Sequence, residues 1–331
     1  MVKTITRRTA LRVVGAGISL PLSVMALRSM TNHIPQPARW SGSCLGALSQ
    51  ITLWHNNKSV AERAIGQLVI EIERLEKVFS LYRYDSEISI LNRTGKINSA
   101  SVDLINVLQH GQNVANISGG AFDPTIQSLW KSYADQISIH KDSNFKFDRK
   151  KINAALTKVD YTAISIGYKS VKFEKPEMLV SLNGIAQGYI TDAIAEVLGN
   201  LGFENAVIDL GETRTLGTKP DGFPFTIGLI DPVSPTNINN EVNLSNSALS
   251  VSGGYGMILG NAETHHIFDP KTGLSANKLK QVAVIAPKAI DADALSTAIY
   301  VAGEANAPML LAAYPKSRAI LTRNNGTTKE L

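Results

Sequence analysis

The amino-acid sequence predicts an α+β fold. Short apolar or alternating runs gather in the second half of the chain without the regular helix alternation of a doubly wound sheet, while the first half holds two amphipathic helical patterns. No repeat shows at the usual periods, and no low-complexity linker interrupts the chain after residue 40. Residues 41–325 therefore read as one compact unit, with room for two packed lobes.

The elements follow in order. Ile65, Leu68, Ile72, Leu75 and Phe79 recur at helical steps with Glu71, Glu73 and Glu76 between them, the pattern of an amphipathic helix. A second helix is expected over 102–117, with Ser101 as its cap and Gly119 and Gly120 as its stop. A third is expected over 191–201 before Gly202 and a fourth over 291–302 before Gly303. The runs "MLVSL", "AVIDL", "FTIGLI", "ALSVS", "HHIF" and "VAVIA" are strand candidates separated by turn residues. No two-residue hairpin turn is evident, so the sheet order does not follow from the sequence.

The composition, 44% hydrophobic and 18% charged, is that of an ordinary globular protein. The net charge of +5 lies in the first thirty residues: Lys3, Arg7, Arg8, Arg12 and Arg28 have no acidic counterpart there, and without those five the 33 basic residues become 28 against 28 acidic ones. Charge thus gives no support for a nucleic-acid partner. The Arg7-Arg8 pair is followed by an apolar run from Val13 to Leu27 of about 15 residues, shorter than the ~20 of a spanning helix. Residues 1–30 are expected to be a twin-arginine export signal, which implies a periplasmic protein meeting membrane only through export or a partner. The alternative is an uncleaved anchoring segment. Residues 31–40 read as a polar, proline-containing tether. Cys44, the single cysteine, excludes an intrachain disulfide and is expected as a buried structural thiol.

Three places carry candidate chemistry. In "NGIAQGYITD", from Asn183, glycines precede a helix start; this is either an anion-binding helix N-terminus or an ordinary strand-turn-helix joint, and it matches neither standard nucleotide fingerprint. Asp293 and Thr297 are four residues apart on one helix face, where a carboxylate and a hydroxyl could supply oxygens to a hard cation or could be solvated or capping groups. Asp291 is the better cap candidate of that helix. His266 precedes the turn "DPKTG" and is either a proton carrier or a structural histidine; His265 would point to the opposite side of an extended strand. The G-x-S-x-G and H-E-x-x-H signatures are missing.

Seven segments in order carry a resemblance: "SLYRYDSEISILN" from Ser80, "SGGAFDPTI" from Ser118, "NGIAQGYITDAIAEVL" from Asn183, "VIDLGE" from Val207, "SVSGGY" from Ser250, "HHIFDPKTG" from His265 and "ADALSTA" from Ala292. The chain resembles the bacterial FAD:protein FMN transferases, or flavinyltransferases. The resemblance implies an α+β fold related to the T-fold group, with a flavin cleft between two lobes. It implies that FAD is split, that FMN passes to a Thr or Ser hydroxyl in a partner sequence like D-x-x-[ST]-G-A-[ST], and that AMP leaves. By the same resemblance Gly184 through its carbonyl, Asp293 and Thr297 hold Mg2+, with Ca2+ as the alternative, and His266 is the base for the acceptor hydroxyl. Tyr82, Ala121, Phe122, Asp123, Ile185, Ala186, Gln187, Tyr189 and Glu212 are implied to contact FAD; Tyr82 reads equally as a core tyrosine, and Asp123 as a site-orienting group or a turn cap.

The chain departs from the family pattern at Gln187, where the family has lysine, at "DLGET", a shortened form of "DLGG" plus an acidic residue, and at Gly254, an acidic or amide position in the family. The "GIAQGYITD" variant together with the leader resembles the branch serving nitrous oxide reduction through a membrane flavoprotein. Two rival readings are a metal-dependent FAD pyrophosphatase, with water as acceptor, and a non-catalytic flavin-binding or flavin-carrying protein. The second draws on "DPKTGLS", which resembles the acceptor pattern and would place a covalent flavin on Ser275.

Overall fold

Three apolar runs of the second half, "AVIDL", "ALSVS" and "VAVIA", join two earlier strands in one open antiparallel sheet. The computed structural model describes residues 36–139, 145–234, 236–261 and 263–331; the expected leader and the first residues of the expected tether lie outside them. The strands are β1 (Pro37–Cys44), β2 (Ala47–Trp54), β3 (Lys96–Ile97), β4 (Ile164–Ile166), β5 (Val171–Phe173), β6 (Ala206–Asp209), β7 (Thr213–Leu216), β8 (Phe225–Ile230), β9 (Ile238–Leu244), β10 (Ala248–Ser252), β11 (Gln281–Ala286), β12 (Arg318–Thr322) and β13 (Thr328–Glu330). The helices are α1 (Lys58–Phe79), α2 (Glu87–Thr94), α3 (Val102–Ile117), α4 (Gln127–Ile139), α5 (Arg149–Leu156), α6 (Ala186–Asn200), α7 (Ala289–Ala302) and α8 (Ala307–Ala312). The main sheet runs β1-β2-β6-β7-β10-β11-β12-β13; β3, β5 and β4 make a small second sheet, and β8–β9 a separate hairpin. Strand β1 takes in residues 37–40 of the expected tether, and β13 carries the folded unit past residue 325 to Glu330. Among the described residues no helix is long and apolar enough to cross a membrane.

Strand β11 shows why its sequence is a continuous apolar run. Val282, Val284 and Ala286 pack into the main core with Ile190 and Ile194 of α6 and Leu295 and Ile299 of α7. Ala283 and Ile285 face the other way, into a smaller core with Ile227, Leu229, Val242 and Leu244 of the β8–β9 hairpin. A strand covered on both faces has no solvent side on which to place polar residues. The edge hairpin behaves oppositely: Ala47, Ser49, Ile51 and Leu53 of β2 are buried while the residues between them are exposed or half-buried.

Two strand expectations are corrected. "MLVSL" is extended but belongs to no sheet: Leu179 makes one isolated bridge to Ile126, its N–H bonds Ser128 Oγ (2.9 Å), and Val180 exchanges hydrogen bonds with the Asn92 carboxamide (2.7 and 2.9 Å). Side chains there complete the backbone as a neighbouring strand would. "HHIF" has only isolated bridges, Ile258 to His265 and Phe268 to Ser275. Its anchor is instead a satellite core of Leu129, Tyr133, Ile152, Ala155, Leu259 and Phe268, in which Tyr133 stacks on Phe268 at 4.5 Å and donates to Gly273 O at 2.9 Å.

A two-residue hairpin exists where none was expected. Cys44 pairs with Ala47, and the intervening Leu45 and Gly46 have φ of 47° and 82°, the two left-handed residues of a type I′ turn. Leucine at the first of these is uncommon because its Cβ opposes that conformation; the Leu45 N–H is held by Glu76 Oε1 of α1 at 2.8 Å. Cys44 is fully buried as expected, and burial raises its thiol pKa.

Helices α6 and α7 begin earlier than their apolar periodicity shows, at Ala186 and Ala289, and they cross closely. A Cβ on Gly188 would stand 2.3 Å from Ala289 O and 2.7 Å from Ile290 Cα. Because both obstacles are backbone, Gly188→Ala is expected to cost about 3 kcal/mol of stability, measured as a lowered midpoint of urea unfolding. An unchanged midpoint would show that the crossing can open without loss.

Candidate active site

The turn before α6 has no side-chain cap of its own: its N-cap, Ile185, offers none. The cap comes from α7, whose Asp293 Oδ2 accepts the Gly188 N–H at 3.0 Å. The start of α7 is treated the same way. Its N-cap, Lys288, makes no side-chain cap bond, and Asp192 of α6 accepts from Ala289 N (2.8 Å) and Ile290 N (3.1 Å) while paired with Arg214. Asp291, expected as the cap, instead faces His110, with Nε2 at 3.1 Å from Oδ1. The expected anion site at the loop's helix start thus has one of its N–H donors on a carboxylate.

This crossing lies in the wall of a cleft of about 700 Å³. Of the residues singled out from sequence, Tyr82, Ala121, Phe122, Asp123, Gly184, Gln187, Glu212, His266, Asp293 and Thr297 all line it. A Cβ on Gly184 would meet Thr297 Oγ1 at 3.2 Å and the Phe122 ring at 3.3 Å, so the glycine backbone lies directly against that hydroxyl. Asp293 is buried and Thr297 half-buried. Among the described residues no three His, Cys, Asp or Glu side chains cluster as a metal site. The donor set is one carboxylate, one hydroxyl and the Gly184 backbone, all oxygen, which suits a hard cation that keeps waters and takes further oxygens from a phosphate ligand.

Ile185, Ala186 and Tyr189 do not line the cleft. Two residues along a helix turn the side chain to the far face, so Gln187 points to the cleft and Tyr189 away from it. Tyr189 donates to Asp103 Oδ1 at 2.7 Å and packs edge-on against Phe79. Ile185 and Ala186 are buried in the main core. Tyr82 is 76% exposed, which rejects the core-tyrosine reading; it stands at the mouth beside Gly46. Asp123 organises its own loop: Oδ1 accepts from Thr125 N (2.8 Å) and Thr125 Oγ1 (2.5 Å), and Oδ2 from Tyr161 N (3.2 Å). Burial raises its pKa against these bonds.

The two histidines separate cleanly. His265 Nε2 donates to Ala276 O (2.8 Å) and Nδ1 accepts from Ile267 N (3.2 Å), so both nitrogens serve the backbone, and burial lowers its pKa. Its ring also fills the space over Gly254, where an added Cβ would be 2.4 Å away; this accounts for glycine at that departure. His266 Nδ1 lies 3.3 Å from Met257 O, and a carbonyl can only accept. Nδ1 therefore carries the proton in the neutral ring, and Nε2 has the lone pair a base needs. Ser275 Oγ donates to His265 O (2.8 Å) and accepts from His265 N (2.9 Å), which ties the hydroxyl of the suggested self-modification site to the backbone.

Sequence reading missed Asp209, Gln50, Ser252 and Tyr255 in the lining. Asp209 stood within the quoted "VIDLGE" and was detectable as an acid ending an apolar strand. Gln50 had no signal of its own; it enters because β2 pairs it with Asp209. Burial pushes the Asp209 carboxyl up to about 7, against one hydrogen bond from Gly211 N. Gln187 packs over the same turn, its Nε2 2.3 Å from where a Gly211 Cβ would be. A neutral amide in the lysine position is thus buried beside Gly211, whose neighbour Glu212 also lines the cleft.

The model of the ApbE family matches residues 45–321, and the chain belongs to that family. The FAD:protein FMN transferase of Haemophilus influenzae is 25% identical over 301 residues, covering 87% of this chain and 86% of the relative. That of Vibrio cholerae is 28% identical over 248 residues, covering 72% and 74%. Among solved structures, the flavin transferase ApbE from Vibrio cholerae superposes with a TM-score of 0.77 at 22% identity over 90% of this chain and 97% of that one. The ApbE protein of Thermotoga maritima gives 0.78 at 24% identity over 89% and 96%. The mixed α/β architecture with a large open sheet is therefore the fold of ApbE flavin transferases.

Asp209 generates a prediction about pH. An unfolded aspartate titrates near 3.9, so between that value and about 7 the unfolded chain is ionised while the folded carboxyl keeps its proton. Folding becomes less favourable as pH rises through this window, and the penalty levels off above it. Asp209→Asn removes it: the variant's gain over wild type, measured by urea unfolding without ligand, should grow from near zero at pH 4 to on the order of 4 kcal/mol at pH 8. A pH-independent difference would refute the assignment.

Proposed function

We propose that the protein transfers FMN from FAD to a Thr or Ser hydroxyl of an acceptor flavoprotein and releases AMP, with Mg2+ as cofactor. The observation that carries this is the convergence of His266 and the Gly184–Asp293–Thr297 oxygen set on the lining of one cleft. Family membership and the curated relatives' name support it.

The residues divide the work by chemistry. Gly184, Asp293 and Thr297 would hold the cation, which when bound supplies charge neutralisation at the FAD pyrophosphate. Few protein donors are offered, which favours Mg2+, a cation that retains waters, over Ca2+ with its six to eight oxygens. His266 Nε2 takes the proton of the acceptor hydroxyl. The hydroxyl oxygen then bonds the FMN phosphorus, the bond from that phosphorus to the bridging oxygen breaks, and AMP departs with the oxygen. The acceptor is a segment like D-x-x-[ST]-G-A-[ST]. The Arg7-Arg8 leader supports export by the twin-arginine route to the periplasm, and with "GIAQGYITD" it supports service to a membrane flavoprotein of nitrous oxide reduction.

Two outcomes are expected when protein, FAD, Mg2+ and an acceptor peptide are combined and the peptide is weighed. Wild type adds the mass of FMN; water alone should yield little free FMN, and the reverse would favour a pyrophosphatase. His266→Ala should slow transfer by about 10²–10⁴-fold with FAD binding retained. Asp293→Asn keeps an acceptor for Gly188 N–H but removes the charge, so Mg2+-dependent FAD binding and transfer should both be lost. Full transfer by either variant would defeat its assigned role.

A further inference from the structure

We propose that Ser252 is a positioning residue that fixes the proton of Thr297, so that both lone pairs of Thr297 Oγ1 are available toward the cation. This rests on the reading of Thr297 as a cation ligand and extends it to the side chains behind.

The argument is a count of hydrogens. Each serine or threonine hydroxyl has one proton to donate and two lone pairs to accept with. Along the seam between β10 and α7, Ser296 Oγ donates to the backbone carbonyl of Asp293 at 2.9 Å, and its only proton is thereby committed. Ser250 Oγ and Ser252 Oγ lie 3.0 and 2.7 Å from Ser296 Oγ. With no proton left on Ser296, each of them donates into one of its two lone pairs. Ser252 has then given up its own proton, and its 3.2 Å contact with Thr297 Oγ1 can be made only by Thr297 donating. The chain runs in one direction, from Thr297 through Ser252 and Ser296 to the carbonyl of Asp293, and starts and ends on the two α7 residues assigned to the cation.

Burial makes the direction persist. Ser250 and Ser296 are 1% and 0% exposed, and Ser252, at the edge of the cleft lining, is 8% exposed, so bulk water has little access to the protons of the seam. Thr297 Oγ1 faces Gly184 at the cleft wall, with its proton drawn backward into the seam. Without Ser252 that proton is free to rotate toward the cation and oppose it. Partners of this kind behind metal ligands commonly change metal affinity by about 10–100-fold when removed.

Ser250 provides an internal control. It is buried like Ser252 and donates to the same acceptor, Ser296, whereas the contact to Thr297 Oγ1 is made by Ser252. FAD binding is followed by flavin fluorescence while Mg2+ is titrated, in the full protein and its variants. Ser252→Ala should raise the half-saturating Mg2+ about tenfold, Ser250→Ala should leave it unchanged, and Thr297→Val should raise it at least as far as Ser252→Ala. Ser252→Ala should add nothing in the Thr297→Val background. Should Ser252→Ala fail to fold, Ser252→Cys keeps the volume, weakens the bond and reads the same shift. The inference is overturned if Thr297→Val shifts the curve and Ser252→Ala does not, or if Ser250→Ala shifts it equally. No shift with Thr297→Val overturns the cation reading and this inference together.

Discussion

The crossing of α6 and α7 is the constraint on which the cleft depends. Neither helix caps itself: Ile185 and Lys288 supply no side-chain acceptor, and each N-terminus ends on a carboxylate of the other helix. A cap is worth about 1 kcal/mol, so the two reciprocal bonds matter less as energy than as geometry. They tie the rotation of each helix to the position of the other. Gly188 makes this reachable, because any side chain there would push Ala289 away and draw Asp293 off its donor.

From that crossing the site assembles without further devices. Asp293 and Thr297 share one face of α7, and the backbone of Gly184 is brought against Thr297 by the turn that opens α6. Asp209 and Gln50 enter through the register of β2 and β6, and Gln187 lies over the Gly211 turn. His266 arrives separately, on a segment outside the main sheet whose placement relies on Tyr133, Phe268 and Leu259. The cleft is thus the meeting of two independently anchored parts, the α6–α7 wall and the satellite core.

Legibility in the sequence followed periodicity and locality. Helix α3 was readable end to end because Ser101 and the Gly119-Gly120 pair mark it, and β11 because both its faces are apolar. The starts of α6 and α7 were hidden, since their caps come from residues about a hundred positions away. Leu45 concealed a hairpin because the turn is sustained by Glu76 of another element rather than by its own chemistry. Among site residues, ten of those singled out do border the cleft, whereas Tyr189 fails by helical phase alone. Gln50 was illegible in principle: only strand pairing brings it to the cleft.

Helix α7 has eleven of its fourteen residues buried, yet it carries two of the three groups assigned to the cation. Most enzymes set such groups on loops at the edge of a scaffold. Here they belong to the element whose local opening would require breaking the main core, the high-stability end of the range over which proteins fluctuate. The wall built on α7 accordingly opens only with the main core. The freedom of the cleft lies at its rim instead, where Tyr82 and Leu48 stand exposed.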